Sequence, residues 1–237
     1  MQNHRSHKVV ILGGFLSRSR YYSSMKEQIE KLSRQETWVI PIPQLLWLAL
    51  LFPYGWIPIL KRLDSVLDRV HASSAHVKVT LIGHSIGGVL GLLYLVYPPS
   101  RVCQWKRRDV IDHLITLGSP HRNRCRWLHG GNISRLVEKF GALTRIPHDV
   151  RLTCIAGKSV LGDKNGALAE KRAYRIYKAI GKEGRTWGDG IVPVSSAHPE
   201  SANLVPLEDV AHFSRMNHLW YGSPKIVTRW WDKIRSV

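Results

Sequence analysis

The sequence predicts an α/β protein built on a mostly parallel sheet of about six strands with helices on both faces. Two patterns predict it. Short β-branched runs alternate with longer helical patterns along the whole chain. The first of these runs, Lys8–Leu12, also ends in a glycine turn, as a buried strand feeding a tight turn does.

Lys8–Leu12 (KVVIL) reads as a buried strand feeding the turn at Gly13-Gly14. Tyr21–Arg34 carries Met25, Ile29 and Leu32 at helical spacing, and Thr37–Ile42 (TWVIPI) reads as the next strand. Leu63, Val66, Leu67 and Val70 share one face of a helix over Lys61–Ala75. Val77–Ile82 is a strand, and Ile86–Val96, rich in Gly and Leu, is a buried helix stopped by Pro98-Pro99. Strands follow at Val110–Leu117 and Arg151–Ala156, then a helix at Ala167–Ile180 with Gly181 as its stop. A strand at Ala202–Val210 and a helix at Pro224–Ile234 complete the pattern.

A length of 237 residues suits one domain with a full core. The uncharged run Leu45–Leu60 (LLWLALLFPYGWIPIL) is, at 16 residues, shorter than the roughly 20 a membrane span needs, and prolines interrupt it. It is expected to be an apolar loop or lid beside a substrate pocket, an insertion spanning 43–60. Three cysteines, Cys103, Cys125 and Cys154, form neither a disulfide framework nor a zinc pattern. The polar start Met1–Lys8 lacks the apolar stretch of a signal peptide. Together they point to the cytoplasm.

The formal net charge is +18, with basic clusters at Lys106-Arg107-Arg108 and Arg122–Arg126. Such a field attracts polyanions. Without a recognisable nucleic-acid motif, nucleic acid is the weaker partner, and peripheral contact with an anionic membrane surface is the stronger expectation. Nothing in the sequence sets an oligomeric state.

In a parallel sheet of this kind the active site lies at the carboxyl ends of the strands. There the segment Val79–Gly88 contains Gly83-His84-Ser85-Ile86-Gly87, a G-x-S-x-G motif between a strand and a helix. The sharp reversal projects a serine hydroxyl above the sheet, with the following helix directing its amides at the site. Ser85 is thus the candidate nucleophile. A serine needs a base, and at such sites acid and histidine follow the nucleophile in the chain. Asp189, between glycines in Trp187–Pro193, is the candidate acid, with Asp163 as rival. His212, just past the last strand, is the candidate base, with His218 as rival. The amides of Ile86 and of Phe15, in the turn after the first strand, are the candidate oxyanion hole.

Taken together, Leu12–Ser17, Leu81–Gly88, Leu117–His121, Ala156–Lys158, Gly188–Pro193, Val210–His212 and Trp220–Pro224 resemble the small α/β-hydrolases of the lipase and esterase type, particularly lipase-like hydrolases of cyanobacteria and plastids. The resemblance implies the α/β-hydrolase fold, with Ser85, Asp189 and His212 as a triad. It favours His212 over His218, because relatives carry a histidine two residues after the corresponding valine. The first turn reads Leu-Gly-Gly-Phe where relatives often have Pro-Gly-Phe or His-Gly-Phe. Ile86 stands where alanine or methionine is commoner, which implies a narrower pocket. The expected activity is hydrolysis of an apolar or lipid-like carboxylic ester through an acyl-enzyme, with no metal or organic cofactor. An acyltransferase or thioesterase on the same triad is one alternative. A non-catalytic protein that binds membrane or polyanion is another.

Overall fold

The computed structural model describes residues 6–74, 76–100, 104–123, 146–199, 202–214 and 219–235. Six strands form the central sheet: β1 (His7–Leu12), β2 (Thr37–Val39), β3 (Lys78–His84), β4 (Ile111–Leu117), β5 (Arg151–Lys158) and β8 (Asn203–Glu208). Their order is β2-β1-β3-β4-β5-β8, and every neighbouring pair is parallel. A two-stranded antiparallel ribbon, β6 (Val160–Leu161) with β7 (Trp187–Gly188), stands apart from it.

The helices are α1 (Ser23–Ser33), α2 (Gln44–Trp47), α3 (Ile57–Ala72), α4 (Ile86–Val96), α5 (Leu168–Gly181) and α6 (Pro224–Arg235). The alternation within β1 explains why both sheet faces must be covered. Val10 and Leu12 enter one core with residues of α3 and α4, while Val9 and Ile11 enter the other with residues of α1 and α6. All eleven residues of α4 are buried, so this helix is apolar all round rather than amphipathic. By contrast α3 buries Ile59, Leu63, Val66, Leu67 and Val70 on one stripe and turns its charged residues outward.

The apolar run 45–60 is not an open loop. It folds as α2, a 3-10 turn at Leu48–Leu51, and the first turn of α3. Trp47 and Trp56 are buried against the α3–α4 core, whereas Leu45, Leu51, Phe52 and Tyr54 face solvent. Pro58 does not break the segment. It sits in the first turn of α3, where its missing N–H costs nothing, so the helix begins four residues before the expected Lys61. β2 is shorter than expected because Pro41 and Pro43 follow it and cannot donate to a ladder. The expected helix at 21–34 opens with a 3-10 turn at Ser19–Tyr22. Among the described residues no helix is long and apolar enough to cross a membrane.

The sheet also buries ionisable groups. His113 on β4 lies beside Thr153 on β5, its Nε2 2.9 Å from Thr153 Oγ1. His121, just beyond β4, contacts Thr116 Oγ1 at 3.1 Å. Burial pushes the two imidazoles down to about 4 and about 3 respectively. In the unfolded chain both protonate near pH 6.5. Below that pH the unfolded state therefore binds more protons, and folding stability falls as pH drops from about 6.5 towards 4. The thermal unfolding midpoint is expected to decrease steadily between pH 7 and pH 5. His113→Gln should flatten that slope; an unchanged slope in this variant would contradict the assignment.

Candidate active site

β3 ends at His84 and α4 begins at Ile86, leaving Ser85 as the sole residue of the reversal. Its φ of 55° and ψ of −129° lie where an L-residue with a side chain is strained, at a cost of order 1–3 kcal/mol. The surroundings enforce that conformation. A Cβ on Gly83 would fall 2.3 Å from Gly88 Cα, and one on Gly87 would fall 2.4 Å from the carbonyl oxygens of Leu12 and Gly13. Only glycines let the strand and helix approach this closely. The Ser85 amide donates to the Leu117 carbonyl at 2.9 Å, tying the turn to β4.

His212 follows β8, the strand at one edge of the sheet. After β8 the chain turns at Asp209 (φ 61°), Ala211 N–H donates to Leu219 O at 2.8 Å, and His212 N–H donates to Asp189 O at 2.9 Å. Both backbone bonds fix the histidine before its ring makes any contact. The ring then bridges two groups distant in sequence. Ser85 Oγ lies 3.0 Å from Nε2, and Nδ1 lies 2.7 Å from Asp189 Oδ2. A carboxylate oxygen accepts, so Nδ1 carries the proton and Nε2 is left to accept from the serine. His212 and Asp189 are both buried.

Asp189 is over-determined. Its Oδ1 accepts from the Ile191 and Val192 amides at 3.0 and 2.7 Å, and its Oδ2 accepts from His212 and from the Tyr221 hydroxyl at 2.8 Å. Phe15 lies in the turn after β1, directly after Gly14, whose backbone packs on Ser85 and His84. Ile86 is the first residue of α4. Neither the Phe15 nor the Ile86 amide makes a hydrogen bond among the described residues.

The comparisons with known proteins agree with this architecture. A family model described as a PGAP1-like alpha/beta domain matches residues 59–162, the stretch that contains β3, Ser85 and α4. No curated protein matches the sequence. Among solved structures, a Listeria innocua gene product superposes with a TM-score of 0.57 at 14% identity, covering 98% of this chain and 95% of its own. A metagenomic carboxyl esterase gives 0.58 at 13% identity, over 99% and 77% of the two chains. A structure from a study of two metagenome-derived lipolytic enzymes gives 0.60 at 10% identity, over 98% and 95%. The chain is an α/β-hydrolase-fold protein.

In this hydrolase fold the rival acid, Asp163, stands elsewhere. Its Oδ1 accepts from the Asn165 amide at 2.8 Å, in a loop beside Tyr174 and Arg185. The rival base, His218, lies outside the described residues, as do Cys103, Cys125 and most of the basic segment Arg122–Arg126. Cys154 is buried on β5, and burial raises its thiol to about 12. The Ile86 side chain is part of the α3–α4 core. Among the described residues no group of three or more His, Cys, Asp and Glu side chains is arranged to hold a metal ion.

Three side chains around the site carried no role in the sequence reading. His84 is fully buried beside Ser85. Its Nε2 donates to the His212 carbonyl at 3.2 Å, so its Nδ1 accepts from the Tyr22 hydroxyl at 2.9 Å. Tyr22 in turn accepts from the Gly14 amide at 2.8 Å. Burial, reinforced by neighbouring His212, holds the His84 imidazole well below its usual range, so it is a neutral strut. The third is Tyr221, which accepts from the Gly157 amide at 2.7 Å while donating to Asp189. Burial and the adjacent Asp189 push its hydroxyl well above the ordinary phenol range, so it stays a donor. The segment Trp220–Pro224 is recognisable in the sequence; nothing local reveals that Tyr221 reaches back 32 residues.

Tyr221→Phe keeps the ring but leaves the Gly157 amide buried without its acceptor. It is expected to destabilise the fold by about 1–3 kcal/mol in urea unfolding. It should also slow reaction of Ser85 with a fluorophosphonate by roughly tenfold, because Asp189 loses one of its fixing donors. An unaltered labelling rate would show that Tyr221 supports only the fold.

Proposed function

We propose that this protein is a serine hydrolase that cleaves a carboxylic ester of apolar or lipid-like character through an acyl-enzyme. The observation that carries the reading is the unbroken relay from Ser85 Oγ through the His212 ring to Asp189, with links of 3.0 and 2.7 Å. The esterase and lipolytic enzymes among the structural neighbours support it at the level of fold.

In this mechanism Ser85 attacks the ester carbonyl as its proton passes to His212 Nε2. Asp189, steadied by four donors, holds the ring and stabilises the imidazolium. The carbonyl oxygen, now an oxyanion, accepts from the Phe15 and Ile86 amides, aided by the positive end of α4. The alcohol departs with the proton from His212. Water, deprotonated by the same imidazole, then releases the acid and restores Ser85.

The apolar character of the substrate is supported by what surrounds the histidine. A cavity of about 450 Å³ beside His212 is lined by Val160, Leu168, Ile191 and Phe213, with Arg172 among its residues. The exposed side chains of Phe15 and Leu16 flank the site on the oxyanion-turn side.

A fluorophosphonate probe is expected to label the native protein at Ser85, and Ser85→Ala to abolish labelling. On a panel of short-chain esters, glycerides and thioesters, the same variant should reduce turnover by at least about 10³-fold. Folded protein that neither labels nor turns over any of them would refute the reading. A preference for thioesters, or for transfer to an alcohol over water, would redirect it to the thioesterase or acyltransferase chemistry of the same three residues.

A further inference from the structure

The segment between β2 and α3 uses its apolar residues in two opposite directions. Trp47 and Trp56 anchor it to the core. Between them the chain is pinned by consecutive short-range bonds, Phe52 N–H to Ala49 O at 2.9 Å and Ile57 N–H to Tyr54 O at 2.9 Å. The result is a built ridge whose crest is Leu45 (80% exposed), Leu51 (58%), Phe52 (70%) and Tyr54 (65%). Fixing large apolar side chains in water has no benefit to the isolated fold, so the crest calls for an apolar phase or surface.

The charge around the ridge specifies which. A cleft of about 520 Å³ abuts the start of α2 and is lined by Arg18, Arg20, Arg62, Pro41, Pro43 and Gln44, among others. Arg18 Nε donates to Gln44 Oε1 at 2.8 Å and Arg62 donates to Pro41 O at 3.4 Å; neither they nor Arg20 pairs with a carboxylate among the described residues. The two stretches that form this face, 13–26 and 37–63, contain no Asp or Glu at all. The acid nearest this face, Glu36, lines a neighbouring cleft with Arg20 and is paired with Lys8 at 2.7 Å. Apolar tips beside guanidiniums that meet no carboxylate among the described residues match a bilayer whose acyl layer lies just under a plane of phosphates.

We propose that the ridge 45–54 and the Arg18–Arg20–Arg62 cleft dock this protein onto an anionic lipid bilayer, the crest entering the acyl boundary and the arginines meeting headgroup phosphates. The same contacts set its orientation. The Phe15 ring meets Trp47 edge-on at 6.5 Å between centroids, and Gln44 Nε2 donates to the Leu16 carbonyl at 3.0 Å. The ridge is therefore joined to the turn beside Ser85, and docking brings that turn to the lipid surface. The docking does not depend on the ester-hydrolase reading, although the two together give a membrane-facing active site.

The test is co-sedimentation of the full chain with vesicles of phosphatidylcholine alone and of equimolar phosphatidylcholine and phosphatidylglycerol, with turnover of a soluble short-chain ester measured in parallel. Binding is expected to the anionic vesicles and to weaken with salt. The double variant Leu51→Ser, Phe52→Ser should bind at least about tenfold more weakly. Arg18→Gln, Arg20→Gln and Arg62→Gln together should lose about fivefold per charge. A control that removes three charges from α5 (Lys171→Gln, Arg175→Gln, Lys178→Gln) should lose far less. Equal binding to neutral vesicles, equal loss in the control, or full binding by the ridge variant would each overturn the proposal. So would sedimentation velocity showing a dimer that the ridge variant dissolves, since the crest would then be a contact between copies. Variants that keep soluble-ester turnover while losing vesicle binding separate docking from chemistry. Vesicle binding by a protein with no ester turnover would leave docking intact and strike the hydrolase reading alone.

Discussion

The reversal of the chain at Ser85 is the constraint on which the site depends. A serine at φ 55° is tolerated only because strand, helix and neighbouring turn leave it no alternative. The helix behind it is wholly buried, so α4 cannot slide to relieve the strain. The carbonyls of Leu12 and Gly13 press on one side and Leu117 accepts its amide on the other. Because β3 lies between β1 and β4, the hydroxyl emerges with the turn after β1 at one flank and the loop after β4 at the other. Sheet order, rather than any local preference of residue 85, decides what can surround it.

The rest of the site is built to keep one imidazole in one orientation. Asp189 spends all its accepting capacity on fixed donors, two from its own loop and two from side chains that arrive later in the chain. His212 is held by its own amide as well as by its ring. In the proposed reaction, a charged pair would then meet dipoles already in position, which is how a dry site lowers a barrier without reorganising.

Much of this was legible in the amino-acid order. Short runs rich in β-branched residues alternate with helical patterns, and those runs sit where β1, β3, β4 and β5 are found. The glycine spacing around Ser85 reports a close approach of backbones that no other residue permits, which is why that turn could be located to the residue. The ribbon of β6 and β7 could not be found, since strands of two residues have no period to detect. The run Leu45–Leu60 suggests a loop or lid because a run apolar at nearly every position carries no phase, and because a proline in a first helical turn looks the same as one that ends a helix. Tyr22, His84 and Tyr221 were missed for a different reason. Their partners lie 62, 128 and 32 residues away, and a hydrogen bond across such distances leaves no trace in local spacing.

The chain of contacts from Gly14 through Tyr22 and His84 to the carbonyl of residue 212 joins the earliest turn of the fold to one of its latest loops. A ribosome releases these parts in order. The serine leaves the exit tunnel with its strand and helix already able to form, but the imidazole, its aspartate and the tyrosine beneath them follow more than a hundred residues behind. Until they arrive, the nascent polypeptide carries an ordinary alcohol at position 85. If Ser85 is the nucleophile proposed above, its activation waits on those later segments.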